Sequence, residues 1–162
     1  MKPSLLFVIA PVLGALLAVG LQQAVPRDGT VVRYVPPTLD AQRDSIVAAE
    51  ARRAGVSVPL ALAVSHVENF GGDSTALSRA GAIGLMQVMP MWRHSFEDEC
   101  GCGPLQNRRR NACVGVRILR LYQDSTKTVN LALRRYHGST RLHMLGDQYV
   151  ESVLEKLVQI TR

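Results

Sequence analysis

Residues 63–74 read AVSHVENFGGDS: an apolar helical run, a carboxylate near its end, then two glycines. Glu68 lies one turn beyond Val64 and two turns beyond Ala61, so it shares the apolar face of its helix. That helix starts around Ser57 and Pro59, runs LALAVSHVENF and stops at Gly71-Gly72. Proline is well tolerated in a first helical turn. Burial disfavours the charged form of a carboxyl group, and so does the negative end of a helix. A carboxyl that stays protonated near neutral pH is a general acid, the group that protonates the leaving oxygen in glycosidic cleavage. Taken by itself, the stretch fits a solvated glutamate at a frayed helix end slightly better.

Outward from Glu68 the chain is a row of helices. Asp40 reads as the N-cap of AQRDSIVAAEARRA, which Gly55 closes at its C′ position. After Glu68 comes a polar, glycine-punctuated loop over 73–84, then LMQVMPMW, broken by Pro90, then an irregular stretch over 91–110. From Asn111, ACVGVRILRLYQD places Val114, Ile118, Leu121 and Tyr122 at helical spacing. TVNLALRRYHGS predicts another helix ending at Gly138, and a last one starts near Gly146 with Tyr149, Val150, Val153, Leu154 and Leu157. No alternating pattern is longer than TVVRYV, so the domain is mainly α, spanning 40–162.

The first 24 residues are of a different kind. One lysine precedes an unbroken apolar run from Leu5 to Leu21, with Ala18 and Gly20 as small residues at a cleavage point. A cleaved secretory signal and a retained membrane anchor both fit this run, and both export the chain. Residues 25–39, with Pro26, Pro36 and Pro37, read as a linker. The formal net charge of +6 suits an anionic envelope surface. Without aromatic interleaving or a nucleic-acid motif, Arg108, Arg109 and Arg110 read as a solvated turn, with no nucleic acid as partner. Cys100, Cys102 and Cys113 lack zinc spacing, and no metal is expected. In an oxidising compartment one of the first two pairs with Cys113 and leaves a thiol over.

Four motifs stand in order: Glu68 with GAIGLMQVMP (81–90), NACVGVRILRLY (111–122), ALRRYHGS (132–139) and YVESVLEKL (149–157). Together they resemble the soluble-type catalytic domain of lytic transglycosylases, over about 40–160. The resemblance implies a lysozyme-like helical fold (α+β in class) with a long groove for peptidoglycan, and no cofactor. It implies that Glu68 protonates the bond between N-acetylmuramic acid and N-acetylglucosamine. The same carboxylate then acts as base on the muramyl C6 hydroxyl, which closes onto C1 as a 1,6-anhydro ring. One acid therefore suffices where most glycosidases need two carboxylates, and Asp73 reads as a loop residue.

The other site residues follow from the same motifs. Gly84 lets a sugar approach the backbone, and Gln87 offers an amide to an N-acetyl group or a hydroxyl. Met89 is the family's soft apolar contact with the glycan, while Met86 reads as core. Tyr136 aligns with the tyrosine that reaches the acid. Asn69 stands where the family mostly has serine, and its amide can support the acid or the substrate. His137 replaces the usual asparagine; a neutral imidazole can hydrogen-bond there, whereas a charged one would oppose protonation of Glu68. Compact members of this kind resemble enzymes that open the wall locally for secretion, conjugation or phage passage, with a membrane or envelope-spanning assembly as partner. A hydrolytic muramidase on the same fold and a wall-binding protein without turnover are the competing readings.

Overall fold

The computed structural model describes residues 38–139 and 143–162. The expectations for the signal or anchor, and for the linker up to residue 37, lie outside the described residues. α1 (Leu39–Ala54) starts one residue inside the stretch read as linker. Its N-cap is Thr38, whose hydroxyl accepts from the Ala41 N–H, and not Asp40. Asp40 lies instead in the first turn and pairs with Arg43. Gly55 ends α1 in the left-handed conformation, its N–H returning to the carbonyls of Ala51 and Arg52.

α2 (Val58–Glu68) carries Pro59 in its first turn and ends on the acid itself. A 3₁₀ turn (Pro90–Trp92) and the short α3 (Glu97–Cys100) give form to the stretch expected to be irregular. α4 (Arg108–Asp124) starts three residues before Asn111, with Asn107 as its N-cap. α5 (Val129–His137) ends at Gly138, and α6 (His143–Thr161) starts ahead of Gly146.

The early start of α4 places the arginine run in its first turn and buries Arg110. Arg108 donates to Gln42 Oε1 and to the Gly72 carbonyl, Arg109 bonds Glu50, and Arg110 is buried and donates to the Arg93 carbonyl. Arg108 and Arg110 are staples between α4, α1 and the loops, while Arg109 remains exposed, as expected of a solvated position. Three adjacent cations are tolerated because each meets a carboxylate or carbonyl in a different neighbour.

α2 lies between α1 and α6, and α4 packs against α1 and α5. Their shared core is built from Val47 and Ala51 of α1, Leu60, Ala61 and Val64 of α2, Val114 and Leu119 of α4, Leu133 of α5 and Val153 of α6. Among the described residues no strand forms. Two isolated antiparallel bridges, Leu77 with Ile83 and Ile83 with Val88, shape the loop after α2. Cys100 and Cys113 form a disulfide between α3 and α4, and Cys102 is the exposed free thiol. Among the described residues no helix is long and apolar enough to cross a membrane.

Candidate active site

Residues 83–87 form a turn that is tied to every helix around it. The Asn111 side chain, fully buried on α4, accepts from the Met86 N–H at 2.9 Å and donates to the carbonyls of Ile83 and Leu105. Ser65 Oγ of α2 donates to the Leu85 carbonyl at 2.9 Å, and Tyr136 Oη of α5 donates to the Met86 carbonyl at 2.9 Å. Four residues after Asn111, Gly115 completes the docking. A Cβ there would lie 2.6 Å from the Met86 Cβ, so only glycine lets α4 approach the turn this closely. The buried polar groups of the turn are thereby paired, as an interior requires.

Gly84 differs from its sequence reading. Its φ is +78°, and a Cβ would stand 2.6 Å from Asn111 Nδ2 and 3.0 Å from the Ser74 carbonyl. The glycine is demanded from inside, by the side chain that clamps the turn, whether or not a sugar approaches from outside. Gln87 closes the turn with φ +46°, an uncommon conformation for a side-chain-bearing residue and a frequent one at functional sites. Its amide nitrogen donates to the Gly84 carbonyl at 2.9 Å and lies 3.5 Å from that of Ala76. The donor half of Gln87 is thus committed to its own turn, and its oxygen is the half left to meet a substrate.

Asn69, the residue after the acid, is buried and donates through Nδ2 to the carbonyls of Asp73 and Gly84. It braces the end of α2 against the turn and does not present its amide to the surface. Asp73 is the loop residue it was read as, its carboxylate accepting from the N–H and hydroxyl of Thr75.

Glu68 itself is half-buried at the end of α2. Burial raises its pKa from 4.5 to about 7, against the opposing pull of one hydrogen bond donated by Tyr149. That bond runs from Tyr149 Oη on α6 to Glu68 Oε1 at 2.7 Å. The tyrosine expected to reach the acid was Tyr136. Its hydroxyl is turned to Met86 instead, although the Glu68 charge is one of the causes, after burial, that hold its pKa well above the ordinary value. Tyr149 appeared in the sequence only as one member of an apolar stripe. The signal available was its hydroxyl, since a tyrosine buried in such a stripe needs a partner for that group.

His137 stacks on Tyr149, ring centroids 4.5 Å apart and planes 25° from parallel. Burial lowers its pKa, which favours the neutral imidazole, and it does not act among the causes of the Glu68 shift. Met86 is fully buried, as read. Gln87, Met89 and Tyr136 line one small cleft together with Trp92, Ile118 and Tyr122. The site therefore joins a tyrosine-bound acid, its pKa raised by burial, at the end of α2 to a clamped turn and to an aromatic-walled cleft beside that turn. Residues 45–151 match the family described as Transglycosylase SLT domain. A comparison with curated proteins found no match.

Proposed function

The chain belongs to the transglycosylase SLT domain family, whose activity is the lytic cleavage of peptidoglycan, and from that premise we propose how this member performs it. Glu68 protonates the oxygen that links C1 of N-acetylmuramic acid to N-acetylglucosamine, and the glycosidic bond breaks. The resulting carboxylate takes the proton of the muramyl C6 hydroxyl, whose oxygen bonds C1. The product is a 1,6-anhydro end, and no water is consumed. The observation that carries this reading is a single carboxyl group raised to about 7, with Tyr149 as its hydrogen-bond partner and no cation among the causes of its shift. An acid poised at the working pH is suited to give a proton and then take one. Asp73, bound to Thr75, is a poor candidate for the second carboxylate that hydrolysis would need.

The chain acts outside the cytoplasm. The apolar run Leu5–Leu21 and the Cys100–Cys113 disulfide, a bond of oxidising compartments, support export. The setting is local opening of the wall, beside a membrane or envelope-spanning assembly.

Digestion of purified peptidoglycan with the full chain, followed by mass spectrometry of the muropeptides, tests the chemistry. The expected products are lighter than hydrolytic ones by one water and are absent with Glu68→Gln. Reducing-end products would overturn the non-hydrolytic step, and wall binding without release would overturn the enzyme.

A further inference from the structure

Arg43 is fully buried in α1, and its guanidinium is spent on the chain that leaves the acid. Nη1 donates to the carbonyls of Asn69 and Phe70, both at 2.9 Å. Nε donates to Asp44 Oδ1 at 2.9 Å, Nη2 lies 2.8 Å from His66 Nε2, and Asp40 Oδ1 stands 2.9 Å from Nη1. The two aspartates are 52% and 38% exposed, so water can hydrate them without the arginine. The Asn69 carbonyl, in a buried residue, accepts from the Gly72 N–H at 3.2 Å and takes Arg43 as its second donor. α2 ends at Glu68 with Asn69 as its C-cap, so the two carbonyls that Arg43 holds belong to the first residues past the helix. With the Asn69 side chain held to Gly84, the residue after the acid is gripped from α1 on one side and from the turn on the other.

We propose that Arg43 is a positioning residue for Glu68, capping the carbonyls of Asn69 and Phe70 and so fixing where α2 stops and where the acid's carboxyl sits. Its kinetic consequence rests on the enzymatic reading above; its effect on Glu68 does not. The titratable groups around the acid are Tyr149 of α6, with His137 stacked behind it, and Tyr136 of α5. Those around the arginine are Asp40, Asp44 and His66, with Lys156 of α6 acting on His66.

Removing Arg43 frees the chain that follows the acid, so the end of α2 shifts, water reaches Glu68, and its pKa falls back toward 4.5. The test is a ¹³C NMR titration of the glutamate side chains in the full chain, with Glu68 assigned through Glu68→Gln. In Arg43→Met, Glu68 is expected to titrate about half a pH unit or more below wild type. On soluble glycan strands, kcat is expected to fall roughly tenfold or more while KM stays within about twofold. A titration at the wild-type value, or an unchanged kcat, overturns the proposal. Should Arg43→Met fail to fold, Arg43→Lys serves. Lysine keeps the charge but cannot hold both carbonyls, Asp44 and His66 together, so kcat falls with KM kept, and wild-type kinetics would overturn the proposal. A wild-type chain without turnover would sink the enzymatic reading and leave the titration to decide this one.

Discussion

Two glutamates on adjacent helices, Glu50 of α1 and Glu68 of α2, are both withdrawn from water and are treated in opposite ways. Glu50 is 3% exposed and its Oε1 accepts from Arg53 at 2.5 Å and from Arg109 at 3.2 Å. Glu68 has a tyrosine hydroxyl where Glu50 has two guanidinium groups. One carboxylate is neutralised by cations and serves to tie α1 to α4. The other is left to burial, keeps its proton to about pH 7, and is chemically available. A buried carboxyl group becomes an acid here through what is withheld from it.

The comparison can be broken most directly at the acid. Glu68→Gln keeps the shape and removes the proton, so turnover of peptidoglycan should fall by about 10³-fold or more with the circular dichroism spectrum unchanged. Full activity in that variant would place the chemistry elsewhere. The second effect is on stability. The folded chain holds the Glu68 proton up to about pH 7, while an unfolded carboxyl releases it near 4.5. The contribution is therefore whole below 4.5 and lost as the pH rises through 7, roughly 2–3 kcal/mol after allowing for partial exposure. Urea melts of wild type and Glu68→Gln between pH 5 and 8 should show that slope only in the wild type.

Glu50→Gln should do the reverse of Glu68→Gln: lose about 1–2 kcal/mol of stability by denaturant melt, with kcat unchanged. A large fall in kcat there would mean that the two carboxyls are not functionally separate. The smallest effect belongs to Tyr149→Phe. The hydroxyl lowers the Glu68 pKa, so its removal should move the alkaline limb of the activity profile upward and reduce kcat a few-fold. A downward move would mean that water has replaced the ring.

What was legible in the sequence was what neighbours along the chain decide. Gly55 and Gly138 mark helix ends because a helix stop is a local event, and Glu68 was visible because four residues of spacing put it over Val64, although α2 stops at Glu68 itself, ahead of Gly71-Gly72. What failed depended on residues far apart. Tyr149 meets Glu68 across 81 positions, and two tyrosines competed for one role with nothing local to separate them. The inward demand on Gly84 was hidden because Asn111, which presses on it, comes 27 residues later. Arg108 and Arg110 looked solvated because their partners lie on α1 and in the loops. The choice of Cys100 over Cys102 for the bridge to Cys113 was left open for the same reason. It depends on where α3 faces α4, which spacing does not specify.

The bond from Tyr149 to Glu68 also sets an order of events during synthesis. α6 is made after α1 to α5, so the acid meets its hydroxyl partner only once residue 149 has been translated and α6 has packed against α2.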